Sequence, residues 1–229
     1  MNLTIFKYAF MRCIKSPATF IFCLIPIVFM FIIDFDGTST GPLFLGLFMM
    51  IVAYQLAKSI QADKFQRTVF RILSGPVTMR SYFVQNFFSS FIPTAIISFV
   101  VGGLGMLLHD WSFPVAAGFT LSYILLGSTA IGISYVFACL WKTKETSSTV
   151  SMIIIMLMAM IGGLMLPQSI MPDALFYFGA LFPTHWAARA IESVVAYNNV
   201  TEPIYWISLG IMAVFTAIFL VYGSKRRIV

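Results

Sequence analysis

Apolar residues gather in long blocks parted by short polar stretches, and no block shows the strict alternation of a half-buried strand. Membrane spans are expected at 17–33, 42–57, 82–108, 114–141, 147–166 and 204–223, since about 20 apolar residues carry a helix across the hydrocarbon core. Ahead of them, residues 1–15 place Leu3, Phe6, Phe10 and Cys13 or Ile14 near one helical face, with Lys7, Arg12 and Lys15 away from much of that stripe. This predicts an amphipathic helix lying in the membrane interface. The longest polar connection, residues 58–81, follows the second block. Within it, 63–76 predicts a short helix with an apolar surface (Phe65, Val69, Phe70, Ile72, Leu73) and a basic one (Lys64, Arg67, Arg71). Ser74-Gly75-Pro76 ends it, because Gly and Pro punctuate helices.

Residues 167–203 break the pattern. The stretch from Leu175 to Ala188 is apolar but too short to cross, as interfacial and re-entrant segments are. Gly162 and Gly163 precede it, and Pro167, Pro172 and Pro183 each remove a backbone donor. Broken backbone at membrane depth must be buried in protein or line a wet cavity. Two short re-entrant helices dipping into the outer leaflet are therefore expected, with an ordinary surface loop as the alternative.

Charge orients the chain. In the six-span reading, thirteen of the fourteen Lys and Arg residues fall on one side, Arg189 being the exception. Basic loops remain cytoplasmic, so both termini are expected in the cytoplasm. The net charge of +6 follows topology, and contact with anionic headgroups accounts for it better than nucleic acid does. With 60% hydrophobic and 10% charged residues and a mean hydropathy of +0.94, one membrane domain over 1–229 is expected, with no soluble partner domain. The first apolar block lacks a small-residue cleavage site and reads as a retained span. Cys13, Cys23 and Cys139 match no metal spacing and read as small hydrophobes.

Candidate chemistry is sparse. No GxxxxGK[ST], HExxH, GxSxG or CxxC motif is present. His109 and His185, the only histidines, stand 76 residues apart near the outer boundary and read as structural. The span cores carry no Asp, Glu, Lys or Arg, whereas ion-coupled carriers and voltage sensors place ionisable groups there. No cofactor and no metal is expected in this chain, no catalytic role, and an energy source outside it.

The order of parts resembles the type-2 ABC transporter permeases, the ABC-2 family that includes bacterial drug-efflux permeases. The amphipathic segment ahead of six spans carries the resemblance, together with Asp63-Lys64-Phe65-Gln66-Arg67-Thr68 followed by Arg71-Ile72-Leu73-Ser74-Gly75-Pro76, and with Gly162-Gly163-x-x-x-Pro167, Met171-Pro172 and Phe182-Pro183. It covers nearly the whole chain. Many members begin the cytoplasmic stretch with Glu where this chain has Asp63, and place Gly before the Thr where it has Arg67.

The resemblance implies a half-transporter. A second copy or a paralogue pairs with it in the bilayer, and two copies of a separate ATPase, binding ATP and Mg, dock from the cytoplasm of a bacterial inner membrane. It implies a coupling helix at 63–76, with Asp63, Lys64, Gln66, Arg67, Arg71, Ser74 and Pro76 as ATPase-facing candidates, and an outer gate at Gly162, Gly163, Pro167, Pro172 and Pro183. A substrate path between two permeases would be lined by Tyr54, Gln55, Met152, Met156 and Met160. The methionines repeat every four residues and so share a helical face; adaptable Met surfaces accept varied ligands, and packed or lipid-facing methionine is the alternative. The leading function is export of a hydrophobic or amphipathic compound: a drug, an antimicrobial peptide or a lipid-like molecule. Competing readings are a polysaccharide or glycan exporter and a stand-alone channel or secondary carrier.

Overall fold

The computed structural model describes residues 4–15, 17–32, 39–65, 78–141 and 143–225. Among them the chain is all helical, with no strand. The helices are α1 (Thr4–Lys15), α2 (Pro17–Ile32), α3 (Thr40–Phe65), α4 (Met79–Leu108), α5 (Phe113–Leu140), α6 (Lys144–Gly162), α7 (Asp173–Gly179), α8 (Pro183–Tyr197) and α9 (Pro203–Lys225), with a 3-10 turn at Gln168–Ile170. Five of them, α3, α4, α5, α6 and α9, are long and apolar enough to cross a membrane. With 16 residues, α2 rises about 24 Å, short of a full ~30 Å core.

Two helices form the centre. The most apolar windows of α3 and α5 are 76% and 72% buried, against 28 to 33% for α4, α6 and α9. The outer three therefore turn most of their apolar surface away from the protein, as lipid-facing helices do. Small residues let α5 take neighbours on every side. A Cβ on Gly127 would overlap Thr94 of α4, one on Gly118 would meet Val194 of α8 at 2.9 Å, and one on Gly132 would meet Phe219 of α9 at 2.9 Å. Close approach at small residues is how helices associate where no hydrophobic driving force separates lipid from side chain.

Hydroxyls pin the bundle. Tyr123 donates to Pro42 O at 3.0 Å (α5 to α3), Tyr205 to Gly118 O at 2.9 Å (α9 to α5) and Ser90 to Leu56 O at 3.3 Å (α4 to α3). Ser98, Thr120, Ser122 and Thr216 bond back to the carbonyl four residues earlier, which satisfies them inside an apolar helix.

Two features depart from the sequence pattern. Instead of stopping near 57, α3 continues to Phe65 because its last polar residues find partners within the protein. And α1 packs on α4 as well as presenting a polar side. Ala9 is buried, Phe6 and Phe10 stack at 5.7 Å, and the Phe6 N–H donates to Gln85 Oε1 at 3.1 Å.

Candidate functional site

One carboxylate joins three helices at the end of α3. Asp63 is only 4% exposed. Arg12 of α1 grips it with both terminal guanidinium nitrogens, Nη2 lying 3.0 Å from Oδ2. Tyr82 of α4 donates its hydroxyl to the same Oδ2 at 2.8 Å. A bidentate guanidinium pair fixes orientation as well as distance, so α1, α3 and α4 are held in one register.

The next residue serves another neighbour, since consecutive helical positions point about 100° apart. Lys64 Nζ donates to the carbonyls of Ala138 and Trp141, both at 2.9 Å. These carbonyls close α5, where backbone acceptors lack helical partners and a cation is favoured. The last turn of α3 is thus clamped to α1 and α4 through Asp63 and to α5 through Lys64. The stretch 66–77 leaves from this turn. Gln66, Arg67, Arg71, Ser74 and Pro76 lie outside the described residues, and with them most of the 63–76 helix.

A second knot stands after α6. Gly163, at φ 96°, closes that helix. Its N–H reaches Met160 O at 3.4 Å and the Leu164 N–H reaches Ala159 O at 2.9 Å, the paired bonds of a Schellman cap that favours glycine. At Gly162 a Cβ would overlap the Thr184 hydroxyl, which donates to Met158 O at 2.6 Å. The three prolines stand at element starts. Pro167 precedes the 3-10 turn, Pro172 precedes α7, and Pro183 is the first residue of α8, where no helical donor is required.

Gln168 binds this region together. Its N–H donates to Glu192 Oε1 at 2.8 Å, and its amide nitrogen donates to His185 O at 2.9 Å and lies 3.3 Å from His185 Nδ1. His185 is fully buried, edge-on to Phe176 at 4.9 Å, and its Nε2 has no hydrogen-bond partner among the described residues. Arg189 sits 5.9 Å from the ring centres of both Phe176 and Trp186, a cation–π seat. Desolvation, then the Arg189 charge, lowers the His185 pKa, while burial raises the Glu192 carboxyl against the opposing pull of the Gln168 N–H and Arg189. With its buried face against α9, α5, α6 and α3, α8 belongs to the bundle.

The path residues divide. Tyr54 is fully buried, donating its hydroxyl to Ser148 O at 3.4 Å, and Gln55 is half-buried. Met152 and Met156 pack half-buried against the core, and Met160 is exposed. Among the described residues, no group of three or more His, Cys, Asp or Glu is placed to hold a metal.

Arg12, Tyr82, Gln168 and Glu192 were not singled out by sequence. His185, Arg189 and Glu192 fall at i, i+4 and i+7, so helical spacing alone places them on one face. Nothing in the pattern pairs Arg12 with a residue 51 positions away.

These features define an integral membrane protein with organised polar junctions at its two ends and charge-poor helices between them. Residues 35–225 match the sequence model of a family described as ABC-2 family transporter protein. The chain belongs to that family: it is the membrane-embedded permease of an ABC transporter, whose ATPase is a separate subunit. No curated protein matches it.

Proposed function

We propose that this permease is half of an ATP-driven exporter that moves a hydrophobic or amphipathic compound out of a bacterial cell across the inner membrane. Two permeases pair, and two copies of an ATPase that binds ATP and Mg dock from the cytoplasm. Six spans cross, α2 serving as the first, with both termini cytoplasmic, while α7 and α8 dip into the outer leaflet as a gate. The observation that carries this reading is the clamp at the end of α3. The 66–77 stretch leaves from a turn bonded to α1, α4 and α5, so a push on that stretch is delivered to four helices together. ATP binding shifts the pair between conformations only to the extent that the docked ATPase favours one of them. Arg67, Arg71 and their neighbours make that contact.

The charge-poor spans support an external energy source. Among the described residues, Lys58, Asp63, Lys64, Arg80, Lys144, Glu145 and Lys225 lie within about two turns of the ends of the crossing helices, whereas ion-coupled carriers need such groups at mid-depth.

The test is co-purification of the tagged full chain with its ATPase, and transport in proteoliposomes. A double substitution, Arg67→Glu with Arg71→Glu, should leave insertion intact while ATPase association or coupled transport falls. Unchanged association and transport sink the coupling assignment, and a chain that purifies as a stable oligomer without any ATPase sinks the half-transporter assembly.

A further inference from the structure

A groove opens between α4 and α9 at the helix ends that also carry Arg80 and the basic tail. Arg80, Phe83, Val84, Phe87 and Phe88 of α4 and Leu220 and Val221 of α9 line it, enclosing about 240 Å³. The α4 residues are spaced i, i+3, i+4, i+7 and i+8 from Arg80, so they form one stripe down a single helical face. From Arg80 to Phe88 the stripe descends about 12 Å at 1.5 Å per residue. It begins at a guanidinium and continues through aromatic and aliphatic surface alone.

Charge selects the occupant. Arg80 is exposed and makes no hydrogen bond or ion pair with any described residue. The nearest carboxylate in sequence on its side of the membrane, Asp63, is committed to Arg12 and Tyr82. Lys225 is the last residue of α9, and Arg226 and Arg227 come next in sequence and add positive charge. An anion above a hydrocarbon chain fits a cation above an apolar groove, and basic pockets between helices on the cytoplasmic side attract anionic headgroups.

We infer that the α4–α9 groove binds an anionic phospholipid of the cytoplasmic leaflet, its phosphate against Arg80 and one acyl chain along Phe83, Phe87 and Leu220. The leaflet, though not the site, rests on the proposed topology. Bound there, the lipid ties the start of α4 to the end of α9, two helices joined by few other contacts. Because α4 also carries Tyr82, which holds Asp63, the lipid sits one helical turn from the coupling junction.

Native mass spectrometry of the purified full chain, delipidated and offered phosphatidylglycerol or phosphatidylcholine of identical acyl chains, tests this. Wild type should retain phosphatidylglycerol in preference by about fivefold, the effect of one basic residue near a membrane surface. Arg80→Gln should abolish the preference while keeping residual binding of both lipids. Val84→Trp, which fills the groove from an exposed position, should lower retention of both. Equal retention of the two lipids by wild type, or an undiminished preference in Arg80→Gln, overturns the site. A groove occupied by a second copy of the chain would show instead as a dimer dispersed by Val84→Trp with lipid retention unchanged, which also overturns it. Leaflet is read separately, by labelling Thr78→Cys with an impermeant thiol reagent: external labelling overturns the cytoplasmic assignment and the topology, whatever the lipids do.

Discussion

Replacing Arg12 by alanine removes the guanidinium that grips Asp63 and tests whether the junction holds α1, α3 and α4 together. The Asp63 side chain is 6% exposed and that of Arg12 is 43% exposed, so the loss is lopsided: the carboxylate stays buried while its partner disappears. Breaking a buried pair from one side costs about 3–5 kcal/mol. Two features bring the expected cost down to about 2–3 kcal/mol: water around the half-exposed guanidinium screens its attraction for the carboxylate, and the Tyr82 hydroxyl still serves the carboxylate. If the cost comes from an uncompensated charge, neutralising that charge must recover part of it. Asp63→Asn alone should destabilise, whereas in the Arg12→Ala background it should return about 1–2 kcal/mol. Unfolding in mixed micelles titrated with dodecyl sulfate, followed by tryptophan fluorescence, gives the four free energies of the cycle. The argument fails if Arg12→Ala lies within about 0.5 kcal/mol of wild type, or if adding Asp63→Asn weakens Arg12→Ala further.

Three other outcomes are expected. Gly162→Val forces its side chain into the Thr184 hydroxyl and the His185 backbone nitrogen, the latter 2.8 Å from the first added carbon. It should cost about 1–3 kcal/mol, whereas Gly103→Ala, which meets nothing within 4 Å, should change stability by less than about 0.5 kcal/mol; equal effects would remove the case for close packing at the knot after α6. The buried His185 and Glu192 oppose one another in acid. The lowered His185 pKa means that the open state takes up the proton first, so stability falls as pH drops below about 6.5. The raised Glu192 pKa means that its charge is penalised when folded, so its contribution rises on acidification. Glu192→Gln leaves the His185 effect alone, and amide exchange across residues 168–185, corrected for intrinsic rates, should then speed up between pH 7 and pH 5.5; a flat profile contradicts the burial argument. Finally, Ala174→Cys and Phe178→Cys, both exposed on α7, should react with an impermeant reagent from outside only, and labelling confined to the cytoplasmic face would invert the topology.

Much of the architecture was legible in one dimension because the bilayer imposes it. Apolar blocks of crossing length predict helices since no other isolated segment satisfies its backbone in hydrocarbon. The helices α4, α5 and α9 begin and end within a few residues of the apolar blocks that announce them. Gly and Pro at 162–183 marked the break after α6 for a local reason: each restricts or frees its own φ whatever surrounds it. Helix ends carrying charge were harder. The apolar block ends near 57 but α3 runs to Phe65, because Asp63 and Lys64 find Arg12, Tyr82 and the α5 carbonyls, none of which is near them in sequence.

By itself, then, the sequence determined an all-helical membrane chain, the expected sidedness of its loops and the family to which it belongs, because hydropathy, loop charge and motif order are properties of the chain read in order. Only the tertiary structure decided that α3 and α5 are the inner pair, that Arg12 answers Asp63, and that Gln168 ties His185 to Glu192. Hydropathy is nearly as high in helices buried by protein as in helices bathed by lipid, since both surroundings are apolar. Which face meets a neighbour, and which distant charge meets another, is settled by three-dimensional packing that a periodic pattern does not encode.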